Sequence, residues 1–430
     1  MRAQEKRIDT LIELYDSETH LYNALGTMLF RPRRVIFLIP ERDAVIYEKY
    51  KDAYMQIWRS HRCLPEITES VLTRTDDFLS LSNVISQYIK TGIGAARGNT
   101  VLDIAGGSPS LYIAAGYIYA RMPSGVVAVK PDFAAGRLTE YVYNPVTGKT
   151  AGASRDFTDE ERDTISLCVD ECIRIYGGRI KGDTISDLLS SGMTRAQIYE
   201  DVTMLWDAAS PARQYWNYVI PDRIHVINEG SLLIYVNGND IKSNAVSATV
   251  TALLSAGMIS ACGIDGARYL YKCKSHCVMK CLRKAGELLE LYMNTLAASV
   301  PGVTDAICGV SLDYDGEDGR ADNEIDGIFI RGGIPVFVSC KNGRVSSDEL
   351  YKFNTVCRQF GGCEKVSILA APNFMSDDDE DLQPGAQNTA QSKKIARIRE
   401  RAELYNIKIL SKLHDVSRDE LTDEIDRLSR

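Results

Sequence analysis

No stretch of this 430-residue chain comes near the roughly 18 consecutive apolar residues that cross a bilayer. The opening "MRAQEKRIDTLIELYD" has no apolar core followed by a small-residue cleavage site. Both absences argue against a membrane or exported protein, and the expected location is the cytoplasm. Paired cysteines are missing as well. Eleven cysteines are scattered over all parts of the chain, which fits reduced, mostly buried thiols rather than a disulfide framework. Histidine is scarce, with five in total, and none pairs with a nucleophile in a pattern that suggests acyl transfer. Neither G-x-G-x-x-G nor G-x-x-x-x-G-K-[ST] occurs, so a dinucleotide cofactor and a P-loop are unsupported. Excess positive charge is also lacking. The net charge of −8 means that any nucleic-acid partner needs a local basic patch or a metal ion to offset phosphate repulsion.

What is present divides into three zones. A chain of this length suggests more than one core. Residues 1–145 alternate apolar runs ("RRVIFLIP", "NTVLDIAGG", "GVVAVK") with amphipathic stretches such as "DAVIYEKYKDAYMQIWRSH". That alternation predicts an α/β fold with a parallel, doubly wound sheet. Residues 146–270 read as a connector. "NPVTGKTAGASRD" is a turn-rich linker, and "FTDEERDTISLCVDECIRIYGG" is a helix with Thr158 as N-cap and Glu161 three residues on. A helix and short hairpin within 240–272 suggest a partly winged-helix-like unit. Residues 271–430 read as a long helix, "HCVMKCLRKAGELLELYMNTLAAS", then strands, helix, strand, helix and strand in the order α-β-β-β-α-β-α-β. The run "SDDDEDLQPGAQN" is read as a solvated loop, with a metal site there as the lesser alternative. Cys273, Cys277 and Cys281, spaced four apart, form a helical stripe that packs a core more readily than it binds zinc. Cys168 and Cys172 read the same way.

The third zone contains "NEIDGIFIRGGIPVFVSCKNG", Asn323 to Gly343. If Gly332-Gly333 is the turn, Asp326 and Lys341 lie on paired strands. Side chains alternate along a strand, so Ser339 shares a face with Lys341, and Glu324 with Asp326. A carboxylate binds Mg²⁺ or Mn²⁺, and the backbone carbonyl of Cys340 offers a second oxygen. An ammonium orients or deprotonates a water, or neutralises phosphate charge. The bland alternative is a surface hairpin with unrelated charges. In the first zone, "LDIAGGSPS" (Leu102 to Ser110) sets Gly106, Gly107 and Ser108 between a strand and a helix, where backbone amides favour acceptors; a tight turn alone is the alternative. Asp16, Ser17 and Thr19 in "ELYDSETH" fall at the carboxyl edge of the first strand, where open α/β sheets bind ligands. Helix capping is a compatible role for Asp16 and Ser17.

The hairpin in its element order resembles the PD-(D/E)xK nuclease superfamily. Asp326 and Lys341 match its first and last motif positions. Ser339 departs from the carboxylate expected between them, and Glu290 on the preceding helix, or Glu349 on the following one, is a candidate replacement. With "YDSET" and "DIAGGS" included, the chain resembles the CARF nucleases of type III CRISPR defence. These join a Rossmann-fold sensor to an effector domain, here a restriction-endonuclease-like PD-(D/E)xK domain. The resemblance implies a sensor at 1–145 and a nuclease domain at 271–430. It also implies a homodimer that binds a cyclic oligoadenylate, commonly the tetramer, through Asp16, Ser17, Thr19, Gly106, Gly107 and Ser108. A metal-dependent cut of DNA or RNA would follow, with Asp326, Glu290 and Cys340 at Mg²⁺ or Mn²⁺ and with Lys341 and Ser339 in the active site. Two other readings stand beside it. One is a cyclic-oligoadenylate-responsive DNA-binding regulator with an inert nuclease-like remnant. The other is an interaction protein with a degenerate site.

Overall fold

Strands β1 (Ile8–Leu14) and β2 (Arg34–Pro40) are buried almost throughout, as expected of parallel strands covered on both faces. They belong to a seven-stranded sheet in the order β3-β2-β1-β4-β5-β6-β7, with β3 at Ile67–Thr73, β4 at Asn99–Asp103, β5 at Val126–Asp132, β6 at Arg137–Asn144 and β7 at Lys149–Asp156. The five strands β3-β2-β1-β4-β5 are parallel. The chain reverses direction of winding between β1 and β4, which is the doubly wound plan expected. β6 and β7 add an antiparallel hairpin. The computed structural model describes residues 8–74, 77–94, 99–121, 126–144, 147–209, 222–314, 323–343, 345–372 and 390–429. The acidic run "SDDDEDLQPGAQN" lies outside them.

Helices α1 (His20–Phe30), α2 (Ala44–Ser60), α3 (Phe78–Gly94) and α4 (Pro109–Tyr119) flank the sheet. On one face Leu81 and Ile85 of α3 and Leu111 and Ala115 of α4 meet Ile12, Ile36 and Leu102. Elsewhere Phe37 of β2 stacks on Trp58 of α2, with ring centroids 6.1 Å apart. The stretch "KTAGASRD", within the linker expected from sequence, is strand β7. Its residues are all exposed, so no apolar period marks it, and pairing with β6 creates it. The helix expected over "FTDEERDTISLCVDECIRIYGG" is two: α5 (Asp159–Thr164) and α6 (Val169–Ile175). Thr158 and Glu161 form the expected capping box.

The chain divides into two compact units. One is Met1–Arg179 with Ile330–Pro335 and Arg358–Lys365; the other is Ile180–Phe329, Val336–Cys357 and Val366–Arg430. In the second part of the chain come β8 (Gly178–Gly182), α7 (Thr184–Ser190), α8 (Arg195–Ala208), β9 (His225–Asn228), β10 (Leu233–Asn237), α9 (Asn244–Ser255), β11 (Ile259–Asp265) and β12 (Arg268–Cys273). A four-stranded sheet has the order β11-β12-β10-β9, so a helix followed by a hairpin does occupy 240–272. Next are α10 (His276–Arg283), α11 (Glu287–Ala297), β13 (Val303–Tyr314), β14 (Asn323–Arg331), β15 (Ile334–Cys340), α12 (Ser347–Gly361), β16 (Val366–Ala370), α13 (Ala390–Leu404), β17 (Ile407–Leu410) and α14 (Arg418–Leu428). The second large sheet is ordered β17-β16-β15-β14-β13-β8. The run α11-β13-β14-β15-α12-β16 reproduces the order expected from sequence.

Where one long helix was expected over 276–299, the chain breaks at Lys284, which is extended (φ −135°, ψ 129°), and restarts after Gly286. Asn342 Nδ2 donates to the freed Ala285 carbonyl at 3.4 Å. Cys273, Cys277 and Cys281 are buried, free thiols, in keeping with a packing stripe. Among the described residues, no helix is long and apolar enough to cross a membrane.

Candidate functional site

Strands β14 and β15 are joined by Gly332-Gly333, with φ of +56° and +80°. Two successive positive φ values are the mark of a tight hairpin turn whose twist matches the strands, and glycine accepts them without a Cβ penalty. The hairpin brings Asp326 to the end of β15. Ser339 Oγ donates to Asp326 Oδ2 at 3.1 Å, and the Cys340 amide donates to the same oxygen at 2.6 Å. Lys341 Nζ stands 3.7 Å from that oxygen. Two hydrogen-bond donors and one ammonium therefore converge on one carboxylate oxygen. Asp326 and Lys341 are part-exposed, 23% and 32% by side chain, so a solvent-borne substrate can reach them.

Glu290 sits on the first turn of α11, one turn after Glu287. Burial, then the negative charge of Asp326 and Glu287, push its carboxyl up to about 8, against the pull of Lys284 and Lys341. Ionising Glu290 beside Asp326 is therefore costly without a nearby positive charge. Glu287 Oε2 is buried without a hydrogen-bond partner. Sequence inspection passed over Glu287. Its signal was the pair of acids three apart directly after a helix-breaking glycine. Among the described residues no group of three or more His, Cys, Asp or Glu side chains is disposed as a complete metal cage. The donors here still suit a hard cation. Mg²⁺ typically uses one or two carboxylates and completes its shell with waters and substrate phosphate, and Glu290 and Asp326 are two acids whose mutual repulsion a cation would relieve. Glu349 takes a different part. Its Oε2 accepts from the Ser346 amide at 2.7 Å and the Ser346 hydroxyl at 2.8 Å, and its own amide donates to Ser346 Oγ at 3.3 Å. It caps α12.

In the first unit the two candidate ligand loops touch. Gly106 packs so closely that a Cβ there would lie 3.1 Å from both the Leu14 carbonyl and Thr19 Oγ1, and 3.2 Å from Asn23 Oδ1. Gly107 has φ +123°, and a Cβ would strike the Leu14 side chain at 2.7 Å. Thr19 Oγ1, Asn23 Oδ1 and Ser108 Oγ are buried and unpartnered, three acceptors or donors left open where the loops meet. Neither Asp16 nor Ser17 caps α1. Asp16 Oδ1 accepts from the Glu18 amide at 3.0 Å, and Ser17 Oγ donates to Asp43 Oδ1 at 3.0 Å. Thr19 occupies the N-cap position without a side-chain cap bond, so the hydroxyl stays available.

Beside these loops lies a cleft of about 760 Å³, lined by Tyr22, Ala105, Tyr112, Lys130 and Tyr141 among others. These three tyrosines and the lysine are apt for stacking on a base and offsetting a phosphate. Sequence reading stopped at the glycines and missed these side chains, which come from α1, α4, β5 and β6.

No protein-family model matches the chain, and no curated protein does. Solved structures do. The protein VC1899 from Vibrio cholerae superposes with a TM-score of 0.66 at 14% identity, over 98% of this chain and 97% of that one. Can2 from Sulfobacillus thermosulfidooxidans, solved in complex with cyclic tetra-adenylate, superposes with a TM-score of 0.57 at 15% identity, over 98% of each chain. The likeness runs end to end and shows a shared fold.

Proposed function

We propose that this chain is a metal-dependent nuclease switched on by a cyclic oligoadenylate in type III CRISPR defence. The observation that carries the reading is the convergence of Ser339, Cys340 and Lys341 on Asp326, with Glu290 close enough to feel its charge, in an αβββαβ frame. Asp326 and Glu290 would hold Mg²⁺ or Mn²⁺, with the Cys340 carbonyl as a further oxygen. When bound, the cation polarises the scissile phosphate and lowers the pKa of a water. The protein's own groups do the rest. Lys341 offers positive charge to the phosphate or orients the attacking water, and Asp326 keeps it in place. Ser339 anchors Asp326, taking a supporting part where the superfamily has a carboxylate.

The sensing half rests on the two touching loops and the cleft. Asp16, Ser17, Thr19, Gly106, Gly107 and Ser108 would contact the activator, and Tyr22, Tyr112 and Lys130 would meet its bases and phosphates. A similar fold in Can2 is solved with cyclic tetra-adenylate. A cyclic tetranucleotide has two-fold symmetry, so an isologous homodimer would present the same loops to it twice. The ligand must favour one arrangement of the nuclease domains for activation to follow.

The test is incubation with each activator ring size, Mn²⁺, and labelled single-stranded and duplex DNA and RNA. The expected result is activator-dependent cleavage that Lys341→Ala abolishes. Equal cleavage by Lys341→Ala, or none with any ring size, would refute the reading. The helix-and-hairpin unit Asn244–Cys273 favours the second reading, a ligand-responsive DNA-binding regulator. Such a protein would retain one DNA sequence and leave a plasmid intact under these conditions.

A further inference from the structure

Strand β1 is a buried parallel strand and should be apolar, yet it carries Glu13. Its register partner on β4 is Asp103. The two residues are 2% and 0% exposed. Glu13 Oε1 and Asp103 Oδ2 are both shut from solvent with no hydrogen-bond partner. Gly26 of α1 shows how near they come. A Cβ on Gly26 would lie 2.4 Å from Glu13 Oε1 and 2.7 Å from Asp103 Oδ2, so both oxygens crowd one spot over the helix backbone.

Among the described residues, none brings a counter-charge that acts on the pair. Across the sheet, Glu13 faces Phe37 of β2 and Asp103 faces Val129 of β5. Helix α1 contributes Gly26, Thr27 and Asn23, while its His20 is bonded to Tyr15 and Tyr54. Helix α2 lays Trp58 against Phe37 on this face, while α3 packs Leu81, Ile85 and Ile89 against the opposite face with Ile12, Leu14 and Leu102. Tyr112 of α4 is the titratable side chain that senses Asp103. Two carboxylates this close in a dry site cannot both be ionised at low cost. Burial pushes Asp103 up to about 7, and burial with the charge of Asp103 pushes Glu13 up as well.

Both candidate ligand loops begin at this pair. Asp103 Oδ1 accepts from the Ala105 amide at 2.7 Å, which sets the turn into Gly106. One residue after Glu13, Leu14 provides the carbonyl and side chain against which Gly106 and Gly107 pack.

We infer that Glu13 is a positioning residue: it and Asp103 form a neutral, protonated acid pair, and that neutral pair holds the loops Asp16–Thr19 and Ile104–Ser108 in their joined geometry. Nothing in the catalytic reading requires it; its link to ligand binding rests on the activator reading above. The sign follows from the raised pKa values. The folded protein keeps a proton that the unfolded chain releases near pH 4, so this contribution to stability falls as pH rises from about 4 to about 7 for Asp103. The loops therefore loosen toward alkaline pH.

The test uses the full chain and the isosteric Glu13→Gln, whose amide donates to Asp103 at every pH. Hydrogen exchange, corrected for intrinsic rates, is followed in peptides covering 14–20 and 104–110 between pH 6 and pH 8.5. Wild type should lose protection there as pH rises, and Glu13→Gln should not. Affinity for cyclic tetra-adenylate should fall about tenfold over the same range in wild type and stay level in the variant, since one linked proton changes binding by at most tenfold per pH unit. Flat wild-type protection, or a variant that tracks wild type, overturns the neutral pair. Should Glu13→Gln fail to fold, the wild-type exchange profile alone decides. Loss of protection with no binding of any cyclic oligoadenylate supports the pair and refutes the activator reading instead.

Discussion

Glu290 and Glu349 are chemically alike, the first and second candidates from sequence for a partner of Asp326, yet their settings differ. Glu349 is committed to Ser346 at the start of α12, while Glu290 is buried beside Asp326. Glu349→Ala should therefore lower stability by about 1 kcal/mol, the usual worth of a helix cap, and leave activator-dependent cleavage within about twofold. Glu290→Gln should abolish cleavage and leave the melting temperature unchanged or raised, because it removes a buried acid. Calorimetry and a cleavage assay read the two effects apart. A cap was legible here, since Ser346 stands three residues before Glu349, the spacing of a capping box. The contact of Asp326 with Lys341 followed from strand periodicity and the Gly-Gly turn. The role of Ser339 did not, because a motif records a missing carboxylate but not a hydroxyl that holds its neighbour.

At the scale of elements, buried strands announced themselves and exposed ones did not. "RRVIFLIP" is apolar because β2 is covered on both faces. β7 has no such constraint, and its composition of Gly, Ala, Ser and Thr reads as loop. The break between α10 and α11 was hidden for a similar reason. Leu, Met and Lys favour helix on either side, and only the extended Lys284 and the following glycine interrupt it. That break sets the start of α11, and with it Glu287 and Glu290, beside the hairpin. The hairpin turn itself should be intolerant of side chains. Gly332→Ala would place a Cβ 2.9 Å from the Phe133 carbonyl at a φ of +56°, and the left-handed backbone alone costs about 1–2 kcal/mol. Denaturant melts should show a loss at least that large. A loss under 0.5 kcal/mol (about the scatter for surface changes) would mean the turn differs from the one described.

For the whole molecule, the charge balance and the proposed cation bear on one another. A chain of net charge −8 repels a polyanion at long range, so its hold on nucleic acid must come from local groups such as Lys341 and from divalent metal. Treatment with EDTA should stop cleavage altogether while far-UV circular dichroism and the melting midpoint stay within error, because among the described residues no cluster of three or more ligating side chains is built into the core. Restored Mn²⁺ should recover activity. A large drop in melting midpoint on chelation would assign the ion a structural task. The domain plan read from sequence, with a sensor at 1–145, a connector at 146–270 and a nuclease at 271–430, remains part of the proposal. Ile330–Pro335 and Arg358–Lys365 belong to the N-terminal unit, a pairing of distant segments that local patterns do not carry.

Strand β7 has one strand neighbour, β6, among the described residues, and its other rim of amide and carbonyl groups is unclaimed within the sheet. An open rim of this kind invites a stray chain to zip on and seed fibrils. Here the rim opens with Lys149 and closes with Arg155 and Asp156, with Gly152 midway. Charge at both ends and a flexible middle make a poor template, so the molecule can be concentrated without its border recruiting another.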